Sequence, residues 1–266
     1  MRKIIQSINW REGLLMINSQ RKKEIIEYLS DTDYRTLKDI AEKFGISMNT
    51  ARRDINELAD ENLVKKFYGG VSLARKKDSS FQSRIASHIE EKQRIARYAA
   101  ALVNDNDLLY IDSGSTTSLL TDYLHRDFHL TIVTNNIYVI TKVIEVENWD
   151  LIVVGSRLKH SSCSLINVYD WEYLNSLNVN KAFLATTGLT IQAGATNPDN
   201  AETIIKTSMM KRSQENFLLT DSSKFDRTSL RTFANIEDFN KIITSGSVPK
   251  HYIEYCSSGN TQLVIA

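Results

Sequence analysis

The hydrophobic and polar positions near the start of the chain predict three helices in succession. Residues 20–29 carry apolar side chains at helical spacing among charged ones. A Thr-x-x-Asp capping pattern at Thr36 begins the second helix, and Gly45 ends it, because glycine tolerates the left-handed conformation at a helix C-terminus. Ser47 can cap the third helix, in which three apolar residues form one stripe: Ala51, Ile55 and Leu58. Two helices joined by a short turn that contains glycine predict a helix-turn-helix.

Two short strand patterns come after the third helix. The segments 63–67 and 71–73 read as strands, and Tyr68-Gly69-Gly70 between them has the composition of a turn. This arrangement predicts a two-stranded wing beside the helix-turn-helix. The stretch that comes next is charged and contains serines, so we expect a small winged domain over 16–74 and a linker over 75–87.

The rest of the chain, 88–266, alternates between short continuous apolar runs and helical patterns. Apolar runs of this kind predict strands that are buried on both faces, as in a parallel sheet covered by helices. The predicted strands are 108–111, 130–133, 151–154, 182–185, 217–220, 241–244 and 263–265. The predicted helices are 90–103, the segment from the 112–117 loop to 124, 137–146 and 201–211. The fold class is therefore α/β overall, with a small α+β winged domain followed by a mostly parallel-sheet α/β domain.

The composition is that of an ordinary folded protein with two domains. The chain has 266 residues, of which 42% are hydrophobic and 24% are charged. Cys163 and Cys256 stand far apart and outside any Cys/His cluster, so we expect no disulfide and no zinc, and a cytoplasmic location. No apolar run approaches the ~18 residues that a membrane span needs, so we expect no membrane partner. Residues 1–15 differ in character from the rest of the first domain, and Met16 is a candidate alternative start.

The third predicted helix opposes its apolar stripe with a face rich in hydrogen-bond donors. Arginine can bridge guanine O6 and N7, and asparagine can do the same for adenine N6 and N7. Residues 1–77 also carry a net charge of +5, which favours a polyanionic partner, although a basic face can be ordinary solvated surface. We expect the wing residues, together with Arg21 and Lys22, to contact phosphates, and Asp54 to be structural. The candidate DNA-binding residues are Ser47, Asn49, Thr50, Arg52, Arg53, Asn56, Lys65, Lys66 and Tyr68.

Small polar residues lie after several predicted strands, at their carboxyl ends. The 112–117 segment, Asp-Ser-Gly-Ser-Thr-Thr, comes after one strand and opens a predicted helix, where backbone N–H groups can hold an anion. Similar clusters occur at 134–136, 155–156, 186–188 and 221–224. One such loop is by itself only a helix cap. Because ligands of open α/β sheets bind beyond the carboxyl ends of the strands, several clusters together predict a pocket.

The first-domain motifs resemble those of a known family. Ile46-Ser47, then the run Thr-Ala-Arg-Arg-Asp-Ile-Asn-Glu-Leu at 50–58, then Gly69-Gly70 of the wing are similar to the signature of DeoR-type bacterial transcriptional regulators. Ala51 stands where the family usually has isoleucine. Phe67-Tyr68 stands where a basic residue and histidine are common, which leaves the contact of the wing tip open.

The resemblance covers nearly all of residues 20–266 and implies a sensor domain similar in fold to ribose-5-phosphate isomerases and CoA transferases. It implies a repressor of carbohydrate-metabolism genes that leaves double-stranded operator DNA when a phosphorylated sugar binds, and a homo-oligomer, dimer or tetramer, without cofactor or metal. The matching second-domain residues are Phe81, Arg84, Glu91-Lys92, Ile95-Ala96, the 112–117 loop, Thr134-Asn135, Gly194-Ala-Thr196, Glu202 and Asp221-Ser-Ser-Lys224. The implied effector-binding residues are Asp112, Ser113, Gly114, Ser115, Thr116, Thr117, Asn135, Glu202, Asp221 and Lys224. Gly155-Ser156 stands where the family usually has a Gly-Gly pair. Asn167 stands where glycine is common, so we expect a different lid over the sugar.

Two other functions stay open. A sugar-phosphate isomerase-like enzyme with a DNA-binding appendage could use Asp112, Glu202, Asp221 and Lys224 as acid, base and cation. The sequence contains no P-loop, nucleophile elbow, metal motif or dinucleotide fingerprint, and we therefore expect a sensor that is not an enzyme. A DNA-binding activator or architectural protein without an effector is the third possibility.

Overall fold

The chain forms two compact units, Met1–Ser79 and Ser80–Ala266. The structure, a computed structural model, describes residues 20–29, 35–61, 63–67, 70–73, 81–167 and 171–266. The predictions for residues 1–15, Met16, the 68–69 turn and the first half of the linker lie outside these ranges. No helix in the described ranges is both long enough and apolar enough to cross a membrane.

The first unit contains the predicted helix-turn-helix and wing. Its elements are α1 over 20–29, α2 Leu37–Lys43, α3 Met48–Asp60, β1 Val64–Phe67 and β2 Gly70–Leu73. Thr36 caps α2 in a complete capping box with Asp39, and Gly45 lies just after α2 with a φ of +59°. Ser47 caps α3, where its Oγ accepts a hydrogen bond from the Thr50 N–H at 3.1 Å. The predicted caps and helices are confirmed.

A single apolar core holds the helices and the wing of this unit together. The wing strands pair in antiparallel fashion, and Arg35 adds a further bridge to Val71 through hydrogen bonds of 2.8 and 2.7 Å. The largest buried side chains come from all three helices, and the wing contributes valines: Ile25, Leu29, Ile40, Ile55, Leu58, Val64 and Val71. The wing therefore packs onto the helices as part of the same folding unit.

The second unit is built on a seven-stranded parallel sheet, with smaller sheets beside it. In chain order the strands of the whole unit are β3 Leu108–Ile111, β4 Leu130–Thr134, β5 Trp149–Val153, β6 Arg157–Lys159, β7 Ser164–Ile166, β8 Val179–Ala185, β9 Gly188–Thr190, β10 Gly194–Asn197, β11 Ser213–Asp221, β12 Arg231–Ala234, β13 Lys241–Ser245 and β14 Gln262–Ile265. Its helices are α4 Phe81–Ala86, α5 Ile89–Ala100, α6 Ile137–Val143, α7 Trp171–Ser176, α8 Asn200–Lys211 and α9 Lys250–Ser258. The strand order of the large sheet is β14-β13-β11-β8-β3-β4-β5, and every neighbouring pair is parallel. The predicted parallel sheet is confirmed.

Both faces of the large sheet are buried, as the continuous apolar runs predict. Successive residues of β8 point to opposite faces, so Phe183 lies in one apolar cluster and Leu184 in the other. Strand β3 divides in the same way at Leu109 and Tyr110. The chain order runs from β3 outward to β5 on one side and from β8 outward to β14 on the other. The strand order thus reverses between β3 and β8, which makes this position the topological switch point of the sheet.

Several local predictions were wrong. The segment after the 112–117 loop is a 3₁₀ helix, Thr117–Asp122, because hydroxyls of this segment, such as Thr121 Oγ1 on Ser118 O at 3.0 Å, bond back to carbonyls three residues earlier. No strand was predicted at Gly194–Asn197, but these residues form β10, the middle strand of a small antiparallel sheet in the order β12-β10-β9. The last part of the predicted linker is helical, since α4 begins at Phe81, which is buried.

Candidate functional site

The donor-rich face of α3 is exposed, as expected. Ala51, Asp54, Ile55 and Leu58 are buried, and the remaining positions face solvent or its boundary. The hydroxyls of Ser47 and Thr50 are engaged at the N-terminus of α3, where they lie 2.9 Å from each other. Exposed donors on the helix are Asn49, Arg52, Arg53 and Asn56. The helix can therefore present side chains to a DNA groove without exposing its apolar stripe.

Asp54 anchors α3 to α1. Its carboxylate is fully buried and accepts two hydrogen bonds from Arg21, Nε at 2.6 Å and Nη2 at 3.1 Å. Lys22 makes a parallel ion pair with Glu57 at 2.6 Å. Asp54 thus has the structural role that we expected, although its partner is Arg21 and not the arginines beside it. The expectation that Arg21 and Lys22 contact phosphates does not fit these contacts.

The remaining candidates of the first unit differ in how they are held. Arg53 lies 3.9 Å from Glu57 and stays exposed, whereas Arg52 makes no hydrogen bond or ion pair with any described residue. Asn56 Oδ1 accepts a hydrogen bond from Lys66 Nζ of the wing at 2.7 Å. Lys65 is exposed, and Tyr68 lies outside the described residues. A groove between α2, α3 and the wing is lined by Lys38, Met48, Arg52, Asn56 and Lys66.

Asp112 ties together the two strands at the switch point of the second unit. It lies just after β3, and its Oδ2 accepts a hydrogen bond from the backbone N–H of Ala185 on β8 at 3.0 Å. The same oxygen forms an ion pair with Lys206 of α8, and the Tyr110 hydroxyl lies 3.4 Å from the other oxygen. Both Asp112 and Lys206 are almost completely buried. Burial raises the pKa of Tyr110 well above its usual range, so its hydroxyl remains a donor.

The loop after Asp112 keeps hydroxyl groups free. Thr117 Oγ1 donates to Asp112 O at 2.7 Å and is structural. The hydroxyls of Ser113, Ser115 and Thr116 make no hydrogen bond to another described residue. A Cβ on Gly114 would overlap the Cβ of Ala185, so packing across the switch point requires glycine here. The free hydroxyls are suitable donors for an anion.

Glu202 and Asn135, two further predicted effector-binding residues, both contact the β6–β7 hairpin. Glu202, on the first turn of α8, accepts hydrogen bonds from Lys159 of β6 at 3.2 Å and from Asn197 at 3.3 Å. Asn135, at the end of β4, donates from Nδ2 to Leu165 O at 3.1 Å. The β6–β7 hairpin therefore contacts both predicted effector-binding residues, which positions it over this end of the sheet.

Asp221, at the end of β11, has one satisfied and one unsatisfied oxygen. Its Oδ1 accepts a hydrogen bond from the Ser223 N–H at 3.1 Å. Its Oδ2 is buried and has no hydrogen-bond donor among the described residues. The nearest cation, Lys92 Nζ, is 4.0 Å away, too far for a hydrogen bond. Lys224, three residues further on, has no hydrogen bond or ion pair with the described part of the chain.

Lys92 is a buried cation at the same end of the sheet. Its Nζ donates to the backbone carbonyls of Ser87, at 2.7 Å, and Arg84. Burial lowers the pKa of Lys92 to about 8, Asp221 opposes this shift, and the positive charge of Lys224 adds to it. The ammonium group is therefore less firmly protonated than that of an exposed lysine.

A metal ion does not fit this cluster. The donor atoms of His88, Glu91 and Asp221 lie within 4.8 Å of one another. Both Glu91 oxygens already accept hydrogen bonds from Ser222, at 2.8 and 3.0 Å. The Lys92 ammonium next to the free oxygen of Asp221 would repel a cation. The arrangement instead suits a ligand that carries both hydroxyls and negative charge.

Each of the two units matches a known protein-domain family. Residues 21–77 match the DeoR-like helix-turn-helix domain, and residues 87–246 match the DeoR C terminal sensor domain. The chain belongs to the DeoR family of transcriptional regulators. The predicted resemblance is confirmed, and the two matches fall on the two compact units.

Curated relatives of this DeoR-family regulator are similar to it along most of its length. The HTH-type transcriptional regulator IolR of Bacillus subtilis (strain 168) is 36% identical over 238 residues, which cover 89% of this chain and 95% of that protein. The glycerol-3-phosphate regulon repressor of Escherichia coli (strain K12) is 27% identical over 93% of this chain and 99% of that protein. The L-fucose operon activator of Haemophilus influenzae is 29% identical over 97% of this chain and 100% of that protein. Among solved structures, ribose 5-phosphate isomerase A of Methanocaldococcus jannaschii aligns over 52% of this chain and 55% of that chain, with 16% identity and a TM-score of 0.40.

Two lysines of this DeoR-family sensor unit were not predicted as site residues. Lys206 was not singled out at all, although it comes four residues after Glu202 and so lies on the same face of α8. Lys92 was noted only as part of the family pattern. A buried lysine has no signature of its own in the sequence, because burial depends on strands and helices that are distant along the chain.

Proposed function

We propose that this regulator represses carbohydrate-metabolism genes by binding operator DNA through α3 and the wing, and that a phosphorylated sugar releases it. The observation that carries the effector part is the buried Oδ2 of Asp221, which has no donor among the described residues. An unsatisfied buried polar atom costs about 1–3 kcal/mol, more if it is charged. A sugar hydroxyl placed between Asp221 and Lys92 would remove that cost.

The phosphate would bind where free donors lie. The hydroxyls of Ser113, Ser115 and Thr116 are unused by the described residues, and Lys224 supplies a positive charge without a partner among them. The loop lies after β3 at the switch point, the position where ligands of open α/β sheets bind. A curated relative named as a glycerol-3-phosphate regulon repressor supports a phosphorylated polyol or sugar as the effector class. Another curated relative is named as an activator, the L-fucose operon activator, and not as a repressor.

We propose binding without turnover. A general base must be free to take a proton from the substrate. Asp112 is occupied by Lys206, Ala185 and Tyr110, and both oxygens of Glu202 accept hydrogen bonds. These two carboxylates are held by the protein, whereas the third candidate, Asp221, keeps one oxygen free of the described residues beside Lys92, where it can accept a hydroxyl group of the effector.

Lys92 offers a route from the effector site to the segment that joins the two units. Its ammonium holds the carbonyls of Arg84 and Ser87, at the end of α4 and just after it, and α4 begins one residue after Ser80, where the second unit starts. Arg84 also donates to Ser161 O, in the β6–β7 hairpin, at 2.9 Å. An anion at Lys224 would compete for the Lys92 ammonium and loosen the end of α4. Such competition would couple effector binding to DNA release.

We further propose that the protein acts as a homo-oligomer, a dimer or a tetramer, because paired helix-turn-helix domains read half-sites one helical turn apart. Sedimentation of the full chain at operator-binding concentrations measures the mass directly. A monomer that binds a two-fold operator with full affinity would contradict this part.

The effector proposal is tested with the full-length chain and DNA from upstream of its own gene and neighbouring genes. Glycerol 3-phosphate, ribose 5-phosphate, glucose 6-phosphate and fructose 1-phosphate are titrated by calorimetry and then added to the DNA complex. The unphosphorylated parent compounds are the matched controls. We expect at least one phosphate ester to bind and to weaken the operator complex by about 5- to 150-fold, the usual range of allosteric coupling. Conversion of a compound would instead support the isomerase-like enzyme, and unchanged DNA affinity with all four would overturn the effector proposal.

A further inference from the structure

The contact between the wing and α3 follows from the pleat of β1. Alternate residues of a strand face opposite sides, so Lys66 leaves β1 on the same side as the buried Val64, and Lys65 leaves on the other side. From there Lys66 extends to the exposed face of α3. Its Nζ lies 2.7 Å from Asn56 Oδ1, and both side chains are exposed.

This contact determines which way the Asn56 amide faces. An ammonium group has three donors and no acceptor, so Asn56 must turn its carbonyl oxygen toward Lys66. The two N–H bonds of Nδ2 then point away, and they make no hydrogen bond to another described residue. Adenine recognition by asparagine needs both groups of the amide, because Oδ1 accepts from N6 while Nδ2 donates to N7. With Lys66 on one lone pair of Oδ1, the adenine N6 amino group would have to approach beside the ammonium charge, which disfavours that pair.

We propose that Lys66 sets the base preference of α3 by holding the Asn56 oxygen and leaving the Nδ2 donors as the group that faces the bases. The Asn56–Lys66 pair then selects guanine, whose O6 and N7 are both acceptors in the major groove. Arg52 lies one turn before Asn56 and lines the same groove, and it adds further donors without any acceptor. This assignment replaces the expectation that Asn56 reads adenine and that Lys66 only contacts phosphate.

The competing possibility is that Lys66 moves to a phosphate when DNA arrives. Asn56 Oδ1 would then be free of the ammonium group, and Asn56 could read adenine. The two cases differ in a measurable way, because a phosphate contact weakens binding equally for all sequences and contributes to the salt dependence, whereas a base contact changes preference at one position.

The test compares full-length variants on an operator in which each base pair of a half-site is replaced in turn. We use Lys66→Met, which keeps the apolar stem, and Lys65→Met as the matched control on the opposite side of the same strand. The wild type should prefer guanine to adenine by about 5- to 150-fold at one position, the range of a good base contact. Lys66→Met should reduce that preference at least tenfold or reverse it toward adenine. Lys65→Met, which removes an expected phosphate contact, should lower the affinity equally for all sequences and leave the preference unchanged.

Asn56→Ala identifies the base pair that Asn56 contacts, and together with Lys66→Met it forms a double-mutant cycle. In this background the guanine preference at that position should disappear, and adding Lys66→Met should change nothing more there. A uniform loss of affinity in Lys66→Met with a smaller salt slope would overturn the proposal, as would a wild-type preference for adenine at the position that depends on Asn56. A wild type without any sequence preference would contradict operator binding itself and not this assignment.

Discussion

Lys206 on α8 and Asp112 at the end of β3 form a buried ion pair across the switch point of the parallel sheet. The two residues are 94 positions apart in the chain, and each residue is at most 2% exposed. Asp112 also accepts the N–H of Ala185, so the pair joins β3, β8 and α8 at one point. This junction lies beneath the loop that we assign to the phosphate.

Lys206→Met should strongly destabilise the sensor unit. Removing one partner of a buried ion pair leaves an uncompensated charge, which costs about 3–5 kcal/mol. Urea denaturation of the full chain, followed by circular dichroism, measures the change in the free energy of unfolding. Lys250→Met is the control, since its pair with Glu254 is exposed and should contribute at most about 1 kcal/mol. Equal effects of the two substitutions would show that the buried pair does not hold the junction together.

Gly114→Ala should also be destabilising, for a steric reason. The added Cβ would overlap that of Ala185, and overpacking of this kind costs about 1–3 kcal/mol. The double substitution Gly114→Ala with Ala185→Gly makes space for the methyl group and should recover part of the loss. Denaturation of the two single variants and the double variant completes the cycle. If the loss of stability in the double variant equals the sum of the losses in the two single variants, residues 114 and 185 are not in contact.

The low pKa of Lys92 predicts an unusual dependence of stability on pH. The folded protein releases this proton near pH 8, and the unfolded chain releases it near the ordinary value of 10.5. Below pH 8 both states hold the proton, and the contribution of Lys92 does not vary. Between these values the unfolded state binds more protons, so the contribution of Lys92 to stability rises with pH.

Comparison of the wild type with Lys92→Met isolates this effect. The difference in unfolding free energy between the two proteins should change in favour of the wild type from about pH 8 upward. Lys181→Met, at another buried lysine of the same unit, serves as the control. Affinity for a phosphorylated effector should fall over the same range, because the ammonium group is lost. A pH-independent difference between wild type and Lys92→Met would show that Lys92 titrates like an exposed lysine.

Ser115→Asp should block the anion site while leaving the fold intact. Ser115 is partly exposed, and a carboxylate in its place would repel a phosphate. We expect operator binding to persist in the presence of a sugar phosphate that releases the wild type, as measured by fluorescence anisotropy. Ser257→Asp, on the exposed side of α9, controls for the added charge and should respond normally. Normal release of the Ser115 variant would place the phosphate elsewhere.

Local signals in the sequence were enough to predict the helix caps, the parallel sheet and the exposed face of α3. Thr36 and Ser47 cap the helices that they were expected to cap, since a cap depends on residues three positions away. Continuous apolar runs determined the parallel sheet, because strands buried on both faces must be apolar throughout. The exposed, donor-rich face of α3 could be predicted from its 3.6-residue periodicity.

Contacts between distant parts of the chain were decided by the tertiary structure alone. No local pattern indicates that Lys206 meets Asp112, that Lys66 holds Asn56, or that Asp221 keeps a buried oxygen without a donor among the described residues. The small antiparallel sheet around β10 was missed for the same reason, since strands of three or four residues form only when partners arrive from elsewhere in the chain. Secondary structure depends mainly on neighbours in sequence, whereas burial and charge pairing depend on neighbours in space.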